Sequence, residues 1–213
     1  MLCRSVGVNV CEDIWYPVGP TTVQCQAGAE LIVNINASPF HAGKRAFRED
    51  MIAQRALENG LTVAYVNTVG GQDELVFDGG SMICDSTGGL VVRGPAFQES
   101  LLITDLSFKE PSARPKHKPA NAGAGAGVGT PKNVTVSEAG TETKPSLEAQ
   151  TILVGMDGPE EIYRALVMGT GDYLRKVGFT KALIGLSGGV DSALTATVRS
   201  EEHTSELQSH LNL

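Results

Sequence analysis

The stretch LIVNINASPFHAGKRAFREDMIAQRALENGLTVAYVN, residues 31–67, decides the fold. It opens on a β-branched apolar run, 31–35, of the kind that forms a buried strand. Residues 44–59 carry helical spacing, with Phe47, Met51, Ala53 and Leu57 expected inward and Gly60 at the stop position. Residues 61–67 return to a buried-strand pattern. Further strands and helices on either side extend this alternation, and such an order implies a layered α/β sheet.

Upstream, residues 5–10 read as a strand with Val6, Val8 and Val10 on one face, and 21–28 as a short helix. Downstream, 75–78, 81–84, 90–93 and 101–106 read as short strands divided by glycine pairs at 70–71, 79–80 and 88–89. Residues 1–106 thus form one expected unit. Residues 107–156 differ in composition. Within them PKHKPANAGAGAGVGTP (115–131) has a single large apolar residue, Val128, and too little apolar surface to offset ordering the chain, which costs about 1–2 kcal/mol per residue. This segment is expected to be a flexible linker.

Residues 157–198 regain pattern. Pro159 suits a first helical position, Glu160 and Glu161 a first turn, and Arg175 and Lys176 a last turn before Gly178. Tyr163, Leu166, Val167, Tyr173, Leu174 and Val177 make the expected inward stripe. KALIGL (181–186) reads as a strand, SGGVDS (187–192) as a turn, and 193–198 as the start of another helix. The tail RSEEHTSELQSHLNL (199–213) breaks the apolar stripe. It resembles the conceptual translation of a sequencing-adapter oligonucleotide and is expected to be no part of the fold.

The chain has 213 residues, 41% of them hydrophobic, and a net charge of −7 with only 17 Lys and Arg. That balance argues against binding nucleic acid or anionic membrane through bulk charge. No run approaches the roughly 18 apolar residues of a spanning helix, and the first residues lack the apolar core of an export signal. Cys3, Cys11, Cys25 and Cys84 show no paired spacing and no clustering with histidine, so a reducing cytoplasm is the expected compartment. His41 and His117 are expected to be solvated. Cys25 and Cys84 read as buried and inert.

GLSGGVDS (185–192) follows a strand-like run and opens a helix. Gly188 and Gly189 let backbone approach an anion, the helix start directs N–H groups at it, and Ser187 and Ser192 add hydroxyls. Asp191 is out of place beside phosphate unless it holds a divalent cation. The spacing is neither the P-loop nor GxGxxG pattern. SGGVDS resembles the pyrophosphate loop of the ATP pyrophosphatases. The resemblance implies that Gly185, Leu186, Ser187, Gly188, Gly189, Val190, Asp191 and Ser192 bind ATP, with Mg²⁺ on Asp191.

GVNVCEDIWYP (7–17) sets Cys11 at a strand end. A thiol there is either a small buried hydrophobe or a nucleophile, and a nucleophile needs help, since free cysteine has a pKa near 8.5. Glu12 and Asp13 alone would raise that value. With NINASPFHAGKRAFRE (34–49) and NTVGGQDELVFDGGS (67–81), the region resembles the nitrilase superfamily, and within it the glutaminase domain of glutamine-dependent NAD synthetases. The resemblance implies Cys11 as nucleophile, Ser38 and Lys44 as glutamine contacts, and the Glu12 N–H as an oxyanion donor. It also implies a partial nitrilase-like αββα sandwich over 1–106, the linker 107–156, and the start of a Rossmann-like ATP-pyrophosphatase domain over 157–198. Trp15 and Phe40 could line the glutamine pocket or pack the core, and Glu74 and Asp78 lie on a loop that could border it.

The family reaction joins glutamine, deamido-NAD, ATP and water to give NAD, AMP, pyrophosphate and glutamate, in a cytoplasmic homo-oligomer. Its general-base Glu and oxyanion Lys precede the nucleophile, and only ten residues precede Cys11. The chain is therefore expected to be a fragment with little activity of its own, since a lost general base alone costs about 10²–10⁴ in rate. Its sheet is expected to leave apolar faces and edges uncovered. Two other readings compete: a free-standing nitrilase-type amidase, which SGGVDS opposes, and a non-catalytic interaction fragment.

Overall fold

The computed structural model describes residues 5–108, 129–136, 145–147, 152–156 and 158–200. Most of the expected linker and residues 201–213 of the expected artefactual tail lie outside these, as do Cys3 and His117. The elements run β1 (Val6–Val10), a 3₁₀ turn (Cys11–Ile14), α1 (Pro20–Gln26), β2 (Leu31–Asn36), α2 (Lys44–Asn59), β3 (Thr62–Asn67), β4 (Val69–Gln72), β5 (Leu75–Asp78), β6 (Met82–Cys84), β7 (Leu90–Arg93), α3 (Gly158–Lys176) and α4 (Val190–Ser200). Five strands form a mixed sheet in the order β1-β2-β3-β6-β7, and β4 and β5 form a separate hairpin. β1, β2 and β3 are parallel, in register Val8↔Val33 and Val33↔Ala64. β6 and β7 add antiparallel strands at one edge. The α/β class read from residues 31–67 is the class observed.

The two sheet faces differ. One buries Ile32, Val63, Tyr65, Met82 and Cys84 against Ile14 and the Met51, Ile52 and Ala56 face of α2. The other carries Val6, Val8, Val10, Ile35 and Val66, all about half exposed, with Val8 at 57%. The valines of β1 do share a face, and it is uncovered among the described residues, as the family resemblance implied.

The phase of α2 corrects the expectation. Phe47 and Leu57 are more than half exposed, and the buried face is Arg48, Met51, Ile52, Arg55, Ala56 and Asn59. Two arginines displace the apolar stripe because each finds polar partners inside. Arg48 pairs with Asp78, and Arg55 donates from Nε to the Ile14 carbonyl at 3.2 Å and from Nη2 to the Trp15 carbonyl at 3.2 Å. Gly60 does end the helix, at φ 63°.

The stripe expected to point inward on α3 holds only in part, since Tyr163, Val167 and Leu174 are half-buried. Leu166, Tyr173 and Val177 are about half exposed, whereas Glu161, Ala165, Gly171 and Asp172 are buried. Small and acidic residues face inward because α3 lies close against the β4–β5 hairpin: a Cβ on Gly71 would stand 3.1 Å from the Gly169 Cα. That strand, β4, contains the glycine pair read as a divider. Residues 101–106 and 181–186 form no strand. Leu183 is fully exposed, and neither run has a ladder partner among the described residues to satisfy its backbone groups. The glycine turn therefore follows irregular chain rather than a strand, and α4 starts at Val190, three residues before the expected start, and takes in Arg199 and Ser200 of the stretch expected to be no part of the fold.

Candidate functional site

Parallel strands expose their carboxyl ends at one edge of a sheet, where α/β folds place ligands. Cys11 follows the last residue of β1, and Ser38 stands two residues past the end of β2. A polar ladder fixes these ends. Asn34 Nδ2 donates to Asn9 Oδ1 at 2.7 Å, Asn9 Nδ2 donates to Thr21 Oγ1 at 2.9 Å, and Asn36 Nδ2 donates to Asn34 Oδ1 at 2.5 Å. All three asparagines are buried. None was singled out from the sequence, where alternation with Val33 and Ile35 would set Asn34 and Asn36 on the polar face.

Cys11 adopts φ 53°. A left-handed backbone at a non-glycine residue costs on the order of 1–3 kcal/mol and persists where surrounding contacts enforce it. The Val10 N–H donates to Asp13 Oδ2 at 2.9 Å, and the Trp15 N–H donates to the Glu12 carbonyl at 2.9 Å. Together they close the tight turn that presents the thiol. Asp13 thus serves the turn's geometry. Glu12 is exposed on its rim. The thiol itself is free and partly buried.

Lys44 opens α2 beside the Trp15 ring, its Nζ 5.4 Å from the ring centroid and donating to the Pro39 carbonyl at 2.9 Å. Burial holds its pKa below the ordinary lysine value. The neighbouring Arg48 charge pushes the same way, while Asp78 and Cys11 oppose it. Cys11 and Lys44 are thus close enough for their charges to interact. The Trp15 ring also stacks on Phe47 at 5.8 Å, and Phe40 packs edge-on to Phe97 at 5.4 Å.

Behind this loop lies a buried ion pair. Arg48 Nη1 donates to Asp78 Oδ1 at 2.9 Å, and Nη2 engages Asp78 Oδ2. Ser38 Oγ, Arg48 Nε and the Tyr65 hydroxyl are buried close together, with no hydrogen bond of good geometry among the described residues. Tyr65 lies beside Ser38 and Arg48, and burial pushes its pKa up. Unsatisfied buried polar groups are costly, so such a cluster at the carboxyl ends of the strands is suited to the polar atoms of a ligand. Asp78 is therefore a structural member of the site rather than a loop residue bordering it, and Glu74 stays exposed at the hairpin. A cleft of about 190 Å³ bounded by Asn67, Gly79, Gly80 and Ser100 excludes Cys11, Ser38 and Lys44. His41 is exposed.

The second candidate site is the turn before α4. Gly188 takes φ 83°, and a Cβ on Gly185 or Gly188 would meet nothing within 4 Å. The Ser187 and Ser192 hydroxyls lie 3.2 Å apart, and the Gly189 N–H donates to Ser187 Oγ at 3.4 Å. Val190 and Asp191 form the first turn of α4, and Leu186 lies exposed before it. An open glycine turn at the start of an 11-residue helix fits nucleotide phosphates. Among the described residues no group of three or more His, Cys, Asp or Glu could hold a metal ion. A cation on Asp191 would have to draw its other ligands from phosphate oxygens and water. No helix among the described residues is long and apolar enough to cross a membrane.

Comparison with known proteins finds similarity over both segments. The NAD synthase family model matches residues 162–207, which include the glycine turn. A glutamine-dependent NAD(+) synthetase of Thermotoga maritima is 40% identical over 199 residues, and that of Aquifex aeolicus 43% identical over 193; these cover 92% and 91% of this chain and 34% of each relative. The structure of glutamine-dependent NAD+ synthetase from Acinetobacter baumannii in complex with ADP superposes with TM-score 0.67 at 31% identity, covering 95% of this chain and 32% of that one. The chain therefore spans about a third of the length of the relatives it matches. The carbon-nitrogen hydrolase family model matches residues 2–115, more than half of the chain and all of the Cys11 site, and the chain belongs to that family.

Proposed function

We propose that this chain carries the amide-binding site of a glutamine-dependent NAD synthetase, together with the phosphate loop of its second active site. The observation that supports it best is the strained Cys11 at the carboxyl end of a parallel strand, within range of the Lys44 charge, with the buried Ser38 hydroxyl just past the end of the neighbouring strand. In this reading the Cys11 thiolate attacks the side-chain amide carbon of glutamine. The Glu12 N–H supports the oxyanion, and Ser38 and Lys44 hold the substrate. The C–N bond breaks, ammonia leaves on gaining a proton, and water cleaves the thioester to glutamate.

Ammonia then replaces AMP on the adenylated carboxylate of deamido-NAD. ATP supplies the adenylyl group and releases pyrophosphate. Residues 185–192 hold the nucleotide phosphates, with Asp191 sharing Mg²⁺ with them. The relatives' names and the ADP complex of the A. baumannii protein support this half. The domain limits are those read above, 1–106 and 157–198, joined by 107–156. The whole reaction is assigned to a polypeptide of the relatives' length, cytoplasmic and homo-oligomeric, acting on small molecules and not on nucleic acid. Labelling of Cys11 by a diazoketone analogue of glutamine tests the first half: selective alkylation that glutamine suppresses supports it, and alkylation indifferent to glutamine counts against it.

A further inference from the structure

The helix that carries Lys44 starts in an electrostatically poor way. Gly43 caps α2 without a side-chain hydrogen bond, and its first turn holds no acid. Lys44 and Arg45 instead set two cations at the positive end of the helix dipole, where anions are favoured. The anion comes from far along the chain. Glu161, in the first turn of α3 and only 3% exposed, accepts the Gly43 N–H at 3.3 Å across 118 residues of sequence. Beside it, Arg45 Nε donates to the Met156 carbonyl at 3.1 Å.

A second path joins the same helix to the same loop. Asp172 and Lys176 hold the two sides of one peptide residue, Gly71: its N–H donates to Asp172 Oδ2 at 2.5 Å, and Lys176 Nζ donates to its carbonyl at 2.5 Å. Gly169 presses so close to Val76 that a Cβ would stand 2.9 Å from it. Val76, in turn, accepts the Phe40 N–H through its carbonyl at 2.7 Å. The loop bearing Ser38 and Lys44 is thus held by α3 directly and through the hairpin.

We propose that Glu161 is a positioning residue for the 38–44 loop, so that docking of α3 sets how well the Cys11 site takes an amide substrate. This rests on the reading of the Cys11 site given above. Glu161 touches no reacting atom and acts through the Gly43 amide and the start of α2.

The test is amide hydrogen exchange over residues 38–45 in the full chain, with glutamine protection of Cys11 against iodoacetamide measured in parallel. Glu161→Ala should speed exchange of that loop roughly tenfold, the scale of losing one charge-assisted hydrogen bond, while β1–β3 exchange as before. Glutamine protection should weaken by a similar factor. Glu161→Gln, which keeps the acceptor, should restore most of both. Asp172→Ala, remote from the loop, should move both in the same direction. Unchanged loop exchange in Glu161→Ala overturns the proposal, as does faster exchange with protection equal to the parent chain's. If glutamine protects neither protein, the amide-substrate reading fails; exchange alone then decides whether Glu161 holds the loop, faster supporting it and unchanged overturning it.

Discussion

Asn67 grips Ser38 from both sides of its backbone. The Ser38 N–H donates to Asn67 Oδ1 at 2.8 Å, and Asn67 Nδ2 donates back to the Ser38 carbonyl at 3.4 Å and to the Gly79 carbonyl at 3.1 Å. The end of β3 thereby sets the serine beyond β2 and the turn beyond Asp78. Replacing Asn67 with Ala leaves these buried groups unpaired. The expected loss is about 1–3 kcal/mol in chemical denaturation. If the clamp acts through Ser38, glutamine affinity should fall too, and Asn67→Ala should add nothing to it once Ser38 is already Ala.

The Arg48–Asp78 pair is wholly buried. Breaking a buried pair from one side leaves an uncompensated charge, at a typical cost of about 3–5 kcal/mol. Arg48→Met and Asp78→Ala should each destabilise by that order in urea titrations. The double variant Arg48→Met/Asp78→Ala should recover part of the loss. Additive losses would mean that the two side chains are not coupled.

Three free thiols lie among the described residues, and their surroundings separate them. Burial pushes the Cys84 pKa up to about 11, with Glu49 and Asp85 adding to it. Burial also raises Cys25, whose Sγ donates to the Asn59 carbonyl at 3.1 Å. Both stay protonated in the folded chain near pH 8, and only the thiolate alkylates. Peptide mapping after brief iodoacetamide treatment at pH 8 should find Cys11 modified before either. The sign for stability follows: the Cys84 contribution is fully present below the free-cysteine value near 8.5 and is lost as pH rises towards about 11, so the folded state should weaken across that interval and Cys84→Ala should flatten the slope.

The valine face of β1 should behave as surface. Val8→Lys should shift stability by less than about 0.5 kcal/mol, the range of exposed substitutions, whereas Val63→Lys on the opposite face should unfold the chain. Exposed apolar strands also bind dyes and associate. The chain should enhance anilinonaphthalene sulfonate fluorescence, and Val8→Lys should reduce it.

Element types within residues 5–93 were legible except for β4, because each other strand is a short apolar run bounded by glycine or polar turns, and Gly60 marks a stop. The phase of α2 was not, because charged residues count as outward in any periodicity argument, and here Arg48 and Arg55 are buried on partners distant in sequence. α3 misled for the same reason: its inward face follows from how closely Gly169 and Gly71 approach. Residues 181–186 have the composition of a strand, but composition does not supply a neighbouring strand. Within the site, the resemblance named Cys11, Ser38 and Lys44. Asn67 and Arg48 escaped notice, and Asp78 and Glu161 were named only for a loop and a first helical turn, because their roles are pairings, which one sequence does not display.

The central claim is that Cys11 is a nucleophile built to receive an amide. The rate of Cys11 alkylation by iodoacetamide at pH 8, measured against rising glutamine with asparagine as control, tests it most directly. The account predicts saturable slowing by glutamine, little effect of asparagine, and loss of the glutamine effect in Ser38→Ala and Lys44→Ala. Equal rates with and without glutamine in the parent chain would contradict it.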